Sequence, residues 1–359
     1  MLQAKTPMTI DQLRRELGRG LVIPAHPLAL DSNGRFDERH QRVLTRYYAA
    51  AGAGGLAVGV HTTQFAIRDP RIGLFEPVLA LAGEEMDRAD RGREVPLVRI
   101  GGICGATTQA LAEAGVVADC GYHAGLLSLA ALSQATDADL IAHCEHVAER
   151  LPLVGFYLQA LVGGRPLGYS FWRRFVEIPN VVAIKIAPFN RYQTLDVVRA
   201  LADSGRDDVA LYTGNDDNIV GDLITPFRFR TETGTVERRI VGGLLGHWAV
   251  WTRSAAGLLA DCHEAVASGH VSVALLRTAG EVTDANAAFF DPANGFAGCI
   301  AGINEVLRRQ GLLTSARCLD PHETLSPHQA DGIDRVCRAY PDMSDDEFVA
   351  AHLDEWLRQ

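Results

Sequence analysis

Eight short apolar runs separated by helical patterns constrain this chain more than any other feature. The runs fall at 20–24, 55–60, 95–100, 125–129, 154–159, 181–187, 208–212 and 243–248. Amphipathic segments lie between them, clearest at 36–51, 106–118, 137–151 and 191–204. Asp137 sits at an N-terminal capping region and Gly205 at a C-terminal stop. Strands alternating with helices imply a parallel sheet. Eight such units predict an α/β fold, a closed (β/α)8 TIM barrel over residues 20–252. A helical segment precedes it (1–19), and a charged, turn-rich stretch at 226–240 around Gly234 reads as an insertion. After the eighth run the pattern is helical only, at 254–268, 271–290 and 296–312, with further helices at 328–339 and 345–358. This predicts a C-terminal helical region over 253–359.

Composition excludes several classes. With 47% hydrophobic and 22% charged residues over 359 positions, the chain has material for a large core and is not disordered. A net charge of −10 without a basic run argues against nucleic acid and anionic membranes as partners. No apolar run reaches the roughly 18–20 residues of a membrane span. The seven cysteines include no C-x-x-C pair, which points to a reducing, cytoplasmic setting and away from a zinc or redox motif. No signal-peptide pattern opens the sequence.

Of the 34 basic residues only Lys5 and Lys185 are lysines, and Lys185 stands inside the sixth apolar run. Strand side chains alternate. If Lys185 points into the barrel, Ala183 and Ala187 do too, leaving space around the amine. On the fifth strand the same reasoning groups Tyr157 with Gly155 and Gln159. A buried lysine loses charge readily and can attack a ketone to form a Schiff base, whose iminium stabilises a neighbouring carbanion. A nearby phenol then serves as acid or base. The alternative is a lysine that snorkels to solvent or pairs with a carboxylate.

These residues resemble the dihydrodipicolinate synthase / N-acetylneuraminate lyase superfamily of class I aldolases, from about Gly20 to Leu313. Tyr157 followed 28 positions later by Lys185, in IPNVVAIKIAP, is similar to the family's strand-five tyrosine and Schiff-base lysine. LALDSNGRFDE (28–38), the Thr62-Thr63 pair, YTGNDD (212–217) and GGLLG (242–246) follow in family order. The resemblance implies a lyase, aldolase or hydro-lyase acting on a 2-oxo acid or related carbonyl compound. Lys185 would form the imine, Tyr157 would move protons, and Thr62 and Thr63 would bind the substrate carboxylate, with Thr62 able to relay protons. Gly243 and Leu245 of the eighth strand would line the substrate site. No cofactor or metal is implied, because the iminium is the electron sink. A homo-oligomer, dimer or tetramer, is expected. The pattern also departs from the family. Gly-Thr-Thr-Gly-Glu reads His61-Thr62-Thr63-Gln64-Phe65, and Val162 stands where the synthase has an arginine, which marks a divergent branch.

Other candidates come from the residues alone. His26, His61 and His247 end strands that are neighbours in a barrel, so they could touch substrate or hold a divalent metal. Arg99 lies within an apolar run and needs a carboxylate partner, either Asp216 or a substrate. Asn215 and Asp216 follow the seventh strand at the barrel mouth, and Cys104 follows the third. Two further readings are a catalytically silent paralogue that binds a small molecule and a metal-dependent barrel enzyme built on the three histidines.

Overall fold

The computed structural model describes residues 8–232 and 234–358. Eight parallel strands form its barrel: β1 (Val22–Pro24), β2 (Gly55–Val58), β3 (Val98–Ile103), β4 (Ala124–Leu127), β5 (Leu153–Leu158), β6 (Val181–Ala187), β7 (Ala210–Thr213) and β10 (Gly242–Leu245). Each pairs with its neighbours in the order β1-β10-β7-β6-β5-β4-β3-β2. A parallel bridge between Ala25 and Ala57 closes the circle. The fold is a (β/α)8 TIM barrel with helices outside. Between β7 and β10 an antiparallel hairpin, β8 (Phe227–Thr231) and β9 (Gly234–Arg238), stands apart from the barrel sheet.

Two strands differ from the sequence expectation in ways that matter for the site. The third begins at Val98, three residues later than expected, because Pro96 has no N–H for a ladder and Leu97 gives its N–H to the Asp90 carboxylate. Arg99 therefore lies at the start of its strand, second after Val98. The eighth ends at Leu245, and His247–Ala249 turn into a short 3-10 helix.

Local chemistry sets the helices. In the helix Arg191–Ser204 the Asn190 carboxamide accepts from the N–H groups of Tyr192 and Gln193, and Gly205 ends it at φ 72°. C-terminal to the barrel lie helices Thr252–Ser268, Val273–Phe290, Cys299–Arg309, Gln329–Ala339 and Asp346–Arg358.

Small residues fill the lumen. Ala25, Ala57, Ala124, Ala183, Ala187 and Ala210 meet larger neighbours such as Ile23, Val154, Phe156 and Leu244. The helix Ile10–Gly18 plugs the N-terminal end: Leu13 and Leu17 join the lumen cluster, and the Tyr212 hydroxyl donates to the Leu17 carbonyl at 2.8 Å. These side chains fill the lumen at that end.

Leu17 is fully buried in the plug. Leu17→Ala should cost about 2–5 kcal/mol of stability, as large-to-small core changes do. Denaturant unfolding checks this, and a cost below about 1 kcal/mol would mean that the plug is not part of the core.

Candidate active site

Strand register decides which side chains share the lumen. Lys185 pairs with Phe156 of β5 and Tyr212 of β7, and both partners belong to the lumen cluster. The register of β5 against β6 shifts near Leu153 and Val154, and Val182 is the extra residue. Beyond it the alternation is regular: Ala183 and Ala187 face inward, while Ile184 and Ile186 pack among the helices. The Lys185 ammonium nitrogen lies 4.6 Å from the Phe156 ring centroid. Gly214 makes room for the lysine chain, since a Cβ there would stand 2.7 Å from Lys185 Cε and 2.8 Å from Ala187 Cβ.

The amine lies in a cavity of about 60 Å³ at the C-terminal end of the strands. Its polar lining is Lys185, Asp216, His61, Thr62, Gln159 and Cys299. Burial lowers the Lys185 pKa, and the Asp216 charge opposes part of that fall. Burial raises the Asp216 pKa, offset in part by Lys185. The backbone N–H of His247 donates to Asp216 Oδ1 at 3.0 Å and fixes the carboxyl. Desolvation, with the Lys185 charge second, pushes His61 down to about 4, so its imidazole is neutral near pH 7. Burial pushes the Cys299 thiol well up. A lysine and a carboxyl whose pKa values burial draws toward each other, in one small cavity, form an acid–base pair suited to carbonyl chemistry.

Tyr157 is not part of this arrangement. Its register partner is Ile186, so it faces outward with the helix-packed side chains. The ring lies 5.3 Å from that of Trp172, and the hydroxyl oxygen accepts the Leu167 N–H at 3.0 Å. Gly155 shares that outer face, where a Cβ would meet Phe175 and Trp172. Phe156, expected outside, takes the lumen position beside Lys185. The expected tyrosine–lysine pair is therefore corrected: the spacing between the two residues does not fix the side of the sheet on which each stands.

The threonines are buried at the mouth with their hydroxyl protons committed. Thr62 donates to the Ala25 carbonyl at 2.7 Å and Thr63 to the His26 carbonyl at 2.6 Å. Thr63 also accepts from the N–H groups of Gly59 and Val60. Thr62 lines the cavity, while Thr63 holds its loop together. Gln64 follows at φ 68°, a region few non-glycine residues enter, and its side-chain oxygen accepts the Leu319 N–H at 2.6 Å.

The three histidines do not converge. His26 turns toward the helix Glu38–Ala51, with Nε2 at 2.9 Å from the Thr45 hydroxyl and Nδ1 at 3.0 Å from the Gln41 amide. His247 stacks on Phe289, and its Nδ1 lies 3.3 Å from the Asn286 amide. Burial pushes both down to about 4. Only His61 lines the cavity. Among the described residues no three or more His, Cys, Asp or Glu side chains gather to hold a metal ion, so the histidine metal site is not assembled.

The remaining candidates also sit elsewhere. Arg99 is at the opposite, N-terminal end of the barrel, 2.7 Å from both Asp87 and Asp90, beside a larger cavity of about 550 Å³. Its partners are these aspartates and not Asp216. Asn215 is fully buried; its side chain accepts from the Phe189 N–H and donates to Thr194 and Asp222, so it ties loops together. Gly243 and Leu245 face outward against Trp248, while Leu244 faces the lumen and Gly246 lines the cavity. Burial, the largest influence on Cys104, raises its thiol to about 11, which suits a packed group better than a nucleophile.

Sequence reasoning missed the roof. Phe290, Phe296 and Cys299 come from the C-terminal helical region and close over the cavity with Phe189, Leu158 and Val162. Their apolar spacing marks them as core residues, and no local signal says that they cover a mouth.

No family model matches this sequence, and no curated protein matches it. Solved structures do. The first monomeric variant of a dihydrodipicolinate synthase superposes with a TM-score of 0.73 at 17% identity, covering 94% of this chain and 99% of that one. Dihydrodipicolinate synthase from Oceanobacillus iheyensis gives 0.71 at 16% identity over 93% and 100%. N-acetylneuraminate lyase from Fusobacterium nucleatum gives 0.69 at 14% identity over 90% and 99%. At these identities the likeness establishes the fold.

Two substitutions separate the lumen from the outer face. Gly214→Ala should crowd the lysine and slow its reaction with carbonyl compounds more than tenfold, with a stability loss of about 1–3 kcal/mol. An unchanged rate would show that the lysine does not need that space. Tyr157→Phe should leave the Lys185 reaction within about threefold of the original; removal of a working acid–base group costs about 10²–10⁴-fold. Single-turnover imine formation reads both.

Proposed function

We propose that the chain is a class I Schiff-base lyase or aldolase, a divergent relative of the dihydrodipicolinate synthase / N-acetylneuraminate lyase superfamily. Its substrate is a 2-oxo acid or related carbonyl compound. The observation that carries this reading is Lys185, buried at the C-terminal end of β6 in the cavity that also holds Asp216. Barrel active sites lie at that end. The fold shared with lyases of known structure supports the reading.

The neutral Lys185 amine attacks the carbonyl carbon. The N–C bond forms, and the carbonyl oxygen takes one proton from the Asp216 carboxylic acid and a second that Asp216 relays from the amine nitrogen; that oxygen leaves as water, giving the iminium with Asp216 as the carboxylate. In the cleavage direction the Asp216 carboxylate removes the proton of a β-hydroxyl. The Cα–Cβ bond breaks, an aldehyde departs, and the electron pair enters the iminium to give an enamine. Protonation at the α-carbon and hydrolysis restore the lysine. Phe189, Phe290 and Phe296 keep bulk water from the enamine. The imine supplies the electron sink, so the reaction as drawn uses no added cofactor.

Exposed Leu161 and Tyr192, in the segments that follow β5 and β6, support a homo-oligomer. The free state of all seven cysteines supports a cytoplasmic setting.

Borohydride trapping with a panel of aldehydes, ketones and 2-oxo acids tests the proposal. A substrate-dependent mass increase should map to Lys185 and vanish in Lys185→Arg. The initial rate should fall at high pH, as the Asp216 acid that donates in dehydration is lost, and should rise at lower pH along a limb set by the neutral amine. The inflection of that limb should lie below the ordinary lysine value of 10.5. Asp216→Asn removes the charge that opposes the fall, so the inflection should move lower still, while the dehydration step slows about 10²-fold. A folded protein that traps none of these compounds, or that traps them equally in Lys185→Arg, contradicts the assignment.

A further inference from the structure

A second cavity, of about 370 Å³, lies outside the barrel. It stands between the helices Thr252–Ser268 and Val273–Phe290, with the turn His247–Ala249 beneath it and Asp342 and Met343 at its edge. That volume is in the range of small-molecule sites. Val250, Trp251, Leu258, Val282 and Met343 give it apolar walls. Three carboxylates stand around those walls: Glu281, half-buried, and Asp261 and Asp342, both exposed. Among the described residues that line the cavity there is no arginine or lysine, and burial keeps His247 neutral near pH 7. The cavity thus has an apolar interior, a negative rim and no cation of its own.

Trp248 adds a separate observation. Its side chain is fully buried and lines the cavity, yet among the described residues its indole N–H has no hydrogen-bond partner. A buried donor left unpaired is costly, and a tryptophan N–H inside a protein ordinarily finds an acceptor. The ring's orientation is set by β10. A Cβ on Gly243 would stand 2.5 Å from Trp248 Cζ3 and 2.7 Å from Cη2, so the benzo edge lies against the strand. The pyrrole edge, with Nε1, is on the far side of the ring and turns away from the sheet, toward the helices that bound the cavity.

We infer that this cavity binds an organic ammonium ion that carries an apolar body and a carbonyl oxygen. The ammonium meets the three carboxylates at the rim, the apolar body packs against Trp251 and its neighbours, and the oxygen accepts the Trp248 N–H. An anion would be repelled by the rim, and an uncharged apolar molecule would leave both the acids and the indole N–H unpaired. The site is separate from the cavity around Lys185 and stands or falls independently of the reaction there.

Phenylalaninamide is the probe, because it carries an ammonium, a ring and a carbonyl. N-acetylphenylalaninamide keeps the ring and carbonyl without the charge, and phenethylamine keeps the ring and charge without the carbonyl. Calorimetric titration should give saturable, one-site binding of phenylalaninamide. N-acetylphenylalaninamide should bind about tenfold more weakly, and phenethylamine about threefold more weakly. The sequence holds four tryptophans, so the NMR spectrum offers few indole N–H signals, and Trp248→Phe assigns that of Trp248. That signal should move downfield with phenylalaninamide, as an N–H that gains an acceptor does. The rim variant Asp261→Asn with Glu281→Gln leaves the core intact and keeps the test decisive if Trp248→Phe does not fold. It should weaken phenylalaninamide about fivefold and leave N-acetylphenylalaninamide unchanged. No saturable binding of phenylalaninamide, equal binding of the uncharged analogue, or an unaltered affinity in the rim variant overturns the inference.

Discussion

The site depends on one arrangement, an amine buried in the barrel lumen with a carboxyl across the cavity. Burying either charge alone is costly. Burying both lets each offset part of the other's loss of solvation while keeping both within reach of their neutral forms. Several structural features serve that balance. The alanines of β6 hold the backbone close without crowding the lysine. Gly214 leaves a side chain's worth of space at the end of β7. The His247 N–H fixes Asp216 from the 3-10 turn that follows the eighth strand. The histidine's role lies in its backbone, while its ring packs on Phe289 outside the cavity.

The C-terminal helices complete the site as well as extending the barrel. Phe290 ends the helix Val273–Phe290 and Cys299 begins Cys299–Arg309, and both line the cavity. A second tie runs through Gln64. It holds a positive φ that a glycine would adopt without strain, and its side chain accepts the Leu319 N–H. The strained residue thus couples the loop after β2 to the C-terminal region.

The fold and the lysine were legible in the sequence because both rest on periodicity. Eight apolar runs alternating with helices leave few topologies, and Lys185 between Ala183 and Ala187 reads correctly within its own strand. Errors arose where one strand had to be placed against another. Tyr157, Gly243 and Leu245 were each put on the wrong face, since alternation fixes relative and not absolute facing. Arg99 moved to the opposite end of the barrel when Pro96 delayed its strand. His26 and His247 end neighbouring strands, as the sequence suggests, but their rings turn to Thr45, Gln41 and Asn286. Asp216 was visible as a residue of the mouth; its facing Lys185 was not, because that depends on the turn after β7.

Burial opposite Asp216 should leave Lys185 with a markedly weakened hold on its proton. Because the sequence holds only two lysines, selective ¹⁵N labelling of lysine gives two side-chain signals, and Lys185→Arg assigns them. A pH titration followed by NMR should show the Lys185 signal titrating well below 10.5, the ordinary value, and lower again in Asp216→Asn. A Lys185 signal that titrates at the ordinary value in both proteins would show that neither burial nor Asp216 governs the lysine's proton.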